Sequence, residues 1–172
     1  MKKIIPSEKL SDADNQQERL KTIGWIVGYV DGEGCFSVSL IKNHKTKFGW
    51  QVFPEFVVTQ GEKSLSSLKF LKRFFGCGKI FVNRRHDDHK ENIYRYCIRS
   101  LNDLNSIIVP FFKLYKLKTA KKNDFEKFAK ILNLMKKGAH SNQFGLRKIA
   151  HLIERMNRKK PSKFLKSPET TR

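Results

Sequence analysis

The segment that most constrains the fold reads Ile23-Gly24-Trp25-Ile26-Val27-Gly28-Tyr29-Val30-Asp31-Gly32-Glu33-Gly34. Leu20, Ile23, Ile26, Val27 and Val30 recur at helical spacing, which predicts a helix over 22–30. Gly24 and Gly28 stand four apart on one helical face, and an interior glycine costs about 1 kcal/mol relative to alanine. Close approach of a second helix would offset that cost. Gly32 and Gly34 are expected to stop the helix, leaving Glu33 just past its end. Asp31 and Glu33 then lie at the negative pole of the helix, where a carboxylate is unfavourable by a few tenths to about 1 kcal/mol. A bound cation is one natural compensation; a plain acidic turn is the alternative on these residues alone.

Downstream, the period changes. Residues 35–41 alternate Phe36, Val38 and Leu40 against Ser37, Ser39 and Ile41, the pattern of a half-buried strand. A second apolar strand spans 50–60, and 43–49 forms a basic hairpin loop between them. Leu65, Leu68, Phe70, Leu71, Phe74 and Phe75 make a helical stripe closed by Gly76-Cys77-Gly78. A second hairpin follows, with strands at 79–83 and 93–99 around a charged loop. An apolar helical stretch at 101–112 is interrupted by Pro110, and helices are expected at 124–134 and 141–157, the last capped by Ser141 or Asn142. The order is helix, two strands, helix, two strands, helix, without an internal repeat, so the chain reads as α+β. One domain is expected over 17–157, between a polar N-terminal arm at 1–16 and a basic, mobile tail at 158–172.

The chain carries 36 Lys and Arg against 16 Asp and Glu, a net charge of +20, yet it is 39% hydrophobic with 14 Phe. That describes a folded basic protein whose default partner is nucleic acid. No apolar run approaches the roughly 20 residues of a spanning helix and the start has no signal-like core, so a soluble, unsecreted protein is expected. Cys35, Cys77 and Cys97 suggest neither a disulfide framework nor a zinc site. His86-Asp87-Asp88-His89 sits among Arg84, Arg85 and Lys90, too cationic a loop for a metal site.

Read whole, Ile26 to Gly34 resembles the LAGLIDADG motif of homing endonucleases in its D-G-E-G form. The resemblance continues through Phe36-Ser37, Val58-Thr59-Gln60, Gly76-Cys77-Gly78, the run Leu117-Lys118-Thr119-Ala120-Lys121-Lys122-Asn123-Asp124-Phe125, and Gly145, and so covers about 20–157. It implies a saddle-shaped αββαββα fold with an antiparallel sheet and C-terminal helices. One motif in a short chain implies a homodimer whose motif helices meet through Gly24, Ile26, Val27 and Gly28. Each protomer would donate one Glu33 to hold Mg²⁺ or Mn²⁺ near the scissile phosphates, while Asp31, Gly32 and Gly34 support the turn. Gln60 matches the position that orients water, and a catalytic lysine is expected at Lys118 or Lys121.

If Phe36, Val38 and Leu40 face the core, then Ser37, Ser39 and Ile41 face outward and a twisted ribbon of this kind enters a major groove. Asn83, Arg85, Arg95 and Arg99 are the base-reading candidates on the second hairpin, and Lys45 and Lys47 suit phosphates. The resemblance implies a site-specific endonuclease leaving a staggered double-strand break with 3′ overhangs in a long pseudo-palindromic duplex. By analogy it would act beside host DNA in a bacterium or organelle. The alternatives are an intron maturase, with RNA as partner, and a non-cutting DNA-binding module; neither requires Glu33 or Gln60.

Overall fold

A computed structural model describes residues 12–83, 91–156 and 164–165. The first helix, α1 (Asp12–Glu33), runs directly into β1 (Gly34–Lys42), which turns back as β2 (Trp50–Gly61). A short 3₁₀ turn leads to α2 (Leu65–Phe75), and the second hairpin is β3 (Lys79–Asn83) and β4 (Ile93–Ile98). A continuous helical segment then comprises α3 (Leu101–Asp103), a π turn and α4 (Val109–Leu114), followed by α5 (Lys121–Lys136) and α6 (Gln143–Glu154). This is the αββαββα order with added C-terminal helices.

The four strands form one antiparallel sheet in the order β1-β2-β4-β3. Because side chains alternate across a strand, register divides the sheet cleanly. One face carries Phe36, Val38, Val52, Phe56, Val58, Tyr96 and Ile98, all buried beneath the helices. Phe36 is fully buried, with ring contacts to Phe56, Phe112, Phe125 and Phe128 at 5.1–5.5 Å. Pro54 is tolerated in β2 because the β2–β4 ladder begins only at Phe56, so its missing N–H removes no bond to β4.

Several boundaries differ from expectation for identifiable reasons. The helix starts at Asp12, inside the stretch expected to be a loose arm, and it continues through Gly32 to Glu33. Gly34 alone has a steric reason to be glycine there: a Cβ would lie 2.7 Å from the Val30 carbonyl oxygen and 2.6 Å from its Cγ1, while one at Gly32 would meet nothing within 4 Å. Pro110 does not break its helix. The π turn Leu104–Ile108 precedes it, the Val109 N–H reaches back to the Leu104 carbonyl, and the Asn105 and Ser106 side chains donate to the carbonyls of Leu101 and Asn102 at 2.8 Å. Phe164, inside the expected mobile tail, is buried edge-on against Trp50.

Asn142 caps α6, accepting a 2.8 Å bond from the Gly145 N–H. A Cβ on Gly145 would stand 2.0 Å from the Ala139 carbonyl oxygen, and backbone cannot rotate away. Gly145→Ala should therefore cost about 2–3 kcal/mol by overpacking, and Asn142→Ala about 1 kcal/mol. Thermal unfolding would reveal this as the larger fall in Tm for Gly145→Ala, and unchanged Tm for that variant would refute the packing argument.

Candidate active site

The two carboxylates of the D-G-E-G segment have opposite environments. Asp31 is buried, and its carboxylate accepts the Lys118 N–H at 2.6 Å, the Thr119 N–H at 3.1 Å and the Thr119 hydroxyl at 2.6 Å. These donors lie just before α5, so the carboxylate occupies the positive end of that helix, a favourable place for an anion. Burial pushes the Asp31 carboxyl up, but the Thr119 hydroxyl, the two amides and the nearby Lys121 outweigh it and hold its pKa below the ordinary aspartate value.

Lys121 returns the contact. Its ammonium donates to the carbonyls of Val30 and Gly32, both at 3.0 Å, placing a cation on the negative pole of α1. Burial lowers its pKa, against the opposing pull of Cys35, Asp31, Glu33 and Asp124. Lys118 is anchored through its backbone amide, and its side chain is exposed. The dipole penalty at the end of α1 is thus met by protein groups for Asp31, whereas Glu33 projects into solvent.

Tyr29 ties α1 to α2. The Tyr29 hydroxyl lies 2.5 Å from the Ser67 hydroxyl, and burial raises its pKa, with the Glu33 charge adding to the rise and hydrogen bonding with Ser67 and Gln60 opposing it. Gln60 stands near the end of β2 and is half-buried, and Glu33 is exposed at the end of α1. Among the described residues no group of three or more His, Cys, Asp or Glu could hold a metal by itself. A groove of about 700 Å³ between α4 and α5, lined by Pro110, Phe112, Leu117 and Lys122, includes neither Glu33 nor Gln60.

The outward sheet face carries Ser37, Ser39 and Ile41 on β1, with Ser39 and Ile41 exposed; Asn83 is exposed on β3, and Lys45 and Lys47 are exposed in the first hairpin loop. Arg95 and Arg99 share this face and both reach Glu55 on β2. Arg85 and the 86–89 cluster lie outside the described residues. Glu55, Phe53 and Phe81 lie on the same face: the alternation of β2 that puts Val52 and Phe56 inward places Phe53 and Glu55 outward, and Phe81 pairs with Arg95.

Ile26 does not stand on the helix face that the resemblance implies for a second motif helix. Ile26 is fully buried in the core with Ile23 and Val30, as 100° per residue requires, so it is unavailable to a second helix. The open side of α1 instead carries Leu20, Gly24 and Gly28, with Val27 at its margin; a Cβ at either glycine would meet nothing within 4 Å.

A helix delivering an exposed carboxylate to the root of a four-stranded antiparallel sheet, with a basic outward face, defines the class of αββαββα endonuclease folds. The LAGLIDADG endonuclease family model matches residues 26–132, and the chain belongs to that family. It is 29% identical to a probable intron-encoded endonuclease 2 of Neurospora crassa over 87% of this chain and 32% of that protein. It is 30% identical to the homing endonuclease I-ApeII of Aeropyrum pernix over 63% of this chain and 61% of that protein. Among solved structures, the homing endonuclease I-TnaI aligns with a TM-score of 0.70 and 42% identity over 78% of this chain and 87% of that chain. I-SmaMI bound to cleaved DNA aligns with a TM-score of 0.71 and 40% identity over 77% and 43%. The chain spans about a quarter to a third of the three Neurospora and Podospora relatives it matches.

Asp31 supplies a pH test. Its folded pKa is depressed, so the stability it contributes is present above the ordinary carboxylate value of about 4 and lost as pH falls through the folded pKa. Asp31→Asn should cost about 2–4 kcal/mol at neutral pH, since an amide cannot accept from all these donors. The Tm gap between wild type and variant should narrow as pH drops below about 4; a gap constant across that range would exclude the charge as its source.

Proposed function

We propose that the chain is a site-specific homing endonuclease that acts as a homodimer and makes a staggered double-strand break with 3′ overhangs in a long pseudo-palindromic DNA site. The observation that carries this reading is the contrast between Asp31, consumed by internal bonds, and Glu33, held at the same rigid helix end yet exposed. A stability role accounts for Asp31 and leaves Glu33 unexplained.

One exposed carboxylate per chain fits a hard, hydrated cation such as Mg²⁺ or Mn²⁺, which needs few protein ligands and draws others from water and phosphate. Such an ion would supply charge compensation and an acidified water at the phosphodiester. Glu33 would hold it, and the Glu33 of a second protomer would complete the pair for two strands. Gln60 would orient water and cannot itself take a proton. Lys121 is committed to the carbonyls of Val30 and Gly32, so its role is to clamp the helix end. Lys118 has its backbone fixed by Asp31 and its ammonium exposed, which makes it the lysine able to reach water or phosphate. Support for DNA as partner comes from the +20 charge and from the DNA-bound I-SmaMI structures. The maturase and non-cutting readings leave Glu33 without a task.

Glu33→Gln should keep binding in Ca²⁺ while eliminating cleavage in Mg²⁺ of DNA carrying the uninterrupted host locus. Binding should weaken with salt at a log–log slope of about −0.9 per neutralised phosphate. Cleavage by Glu33→Gln at the wild-type rate would sink the proposal. Lys118→Met should slow cleavage roughly 10²- to 10⁴-fold with affinity retained, whereas Lys121→Met should mainly lower Tm; the reverse outcome would exchange their roles. Gly28→Leu, which meets no atom within 4 Å of its Cβ position, should leave a folded monomer that does not cut. Sedimentation showing an intact dimer would reject the helix face as its contact.

A further inference from the structure

Asp31 and Glu55 are the two charged side chains buried among the described residues, and the helix junction accounts only for the first. Glu55 lies on the outward face of the sheet, where a carboxylate works against the approach of a polyanion. Its side chain is 9% exposed, and it accepts a 2.8 Å bond from Arg95 Nη2 and a short one from Arg99 Nε. The Arg99 guanidinium also lies over two rings, 5.4 Å from the centre of Phe53 and 5.0 Å from that of Phe81.

These contacts fix the guanidiniums without exhausting them. An arginine has five N–H donors. Arg99 gives its Nε to Glu55, which leaves its terminal pair of nitrogens, the end that forms two parallel bonds to guanine O6 and N7. Arg95 gives one terminal nitrogen. Both side chains remain about 40% exposed, at 40% and 42%. An ion pair serving only to join β2 to β4 has no need of aromatic walls around Arg99. The six-residue β2–β4 register, Phe56 to Gly61, already joins those strands. The single negative charge offsets part of the attraction of the two guanidiniums to any nearby phosphate, which raises the relative weight of their directional hydrogen bonds.

We propose that Glu55 is a positioning residue for base recognition: with Phe53 and Phe81 it sets the Arg99 fork, and secondarily Arg95, to read guanine in the major groove without touching a base itself. This rests on the DNA-binding reading above. Preorganisation of this kind raises discrimination because the side chain loses little further freedom on binding.

The test is selection from a pool of randomised DNA duplexes by the full chain in Ca²⁺, for wild type, Glu55→Gln, Arg99→Lys and Phe81→Leu, with Tm measured for each. Wild type should select a motif with guanine in each half-site. Arg99→Lys should lose preference at one such position by roughly 5- to 150-fold, the worth of one bidentate pair. Glu55→Gln and Phe81→Leu should relax that same position, with preferences elsewhere retained and overall affinity for random duplex unchanged or, for Glu55→Gln, increased. Guanine preference retained in Glu55→Gln, or an equal loss at every position accompanied by a lower Tm, would overturn the assignment in favour of a strand tie. Should Glu55→Gln not fold, Phe81→Leu decides, since it leaves every charge in place at an exposed position. If wild type selects no motif at all, DNA site recognition itself fails and this inference with it; a motif untouched by all three variants defeats only the inference.

Discussion

The bonds between Asp31 and the entry to α5 set the position of everything around the site. They cross from the last turn of α1 to residues far along the chain, and Lys121 crosses back to the carbonyls of the same turn. Each contact answers a problem the other element has: α1 ends with unpaired carbonyls, and α5 begins with unpaired N–H groups. Buried charge of this kind is costly without full pairing, and here the carboxylate has three donor groups. The consequence is rigidity at a point that must otherwise be exposed. Glu33 lies two residues beyond Asp31, so its backbone is fixed while its side chain reaches solvent.

The sheet then extends that fixed point into a surface. Gly34 permits β1 to start directly against the Val30 backbone, so no flexible linker separates the helix end from the first strand. From there alternation sends Phe36, Val38 and their partners Phe56 and Pro54 under the helices, and Ser37, Ser39 and Glu55 to the other side. The aromatic core around Phe36 stiffens this surface from behind. Side chains on rigid strands hold their geometry more closely than side chains on loops, which is why the Glu55, Arg95 and Arg99 arrangement is informative while the exposed Lys45 and Lys47 are not.

Much of this was legible in the sequence. Period two in residues 35–41, the glycine-closed stripe of α2 and the D-G-E-G segment give the order of elements and the two faces of β1. What stayed illegible depended on partners distant in sequence. By residue type and position alone Asp31 and Glu33 look alike; the resemblance implies a supporting role for Asp31, but the donors that hold its carboxylate, at Lys118 and Thr119, lie too far along the chain to be read from the motif. Gly32 carries the signal of a helix stop, yet the helix runs through it to Glu33 and nothing in its surroundings demands a glycine. Ile26 belongs to the motif, but its spacing from Ile23 and Val30 assigns it to the core. Glu55 sits within an apolar run, where strand alternation alone marks it as outward. Pro110 read as an interruption because a π turn leaves no mark in periodicity.

The glycines of α1 differ in kind from those elsewhere. Gly34 and Gly145 are required by atoms of this same chain, with backbone oxygen within 2.7 and 2.0 Å of a Cβ. Gly24 and Gly28 face open space, so within one chain they only weaken the helix, by about 1 kcal/mol each. They are flanked by Leu20 and Trp25, large apolar groups left 56% and 44% exposed. A helix that accepts glycine and exposes leucine on the same side is stable enough only because its opposite face, Ile23, Ile26 and Val30, is locked into the core. Small residues in place of large ones lower the surface so that another backbone can approach, and such a contact would add free energy that offsets the glycine cost. A second copy of α1 presents the same relief and the same exposed leucine, which suits the self-complementary geometry of a two-fold contact. That contact would also bring a second Glu33 toward the first, so the feature that weakens the isolated helix supports the proposal that the site is shared.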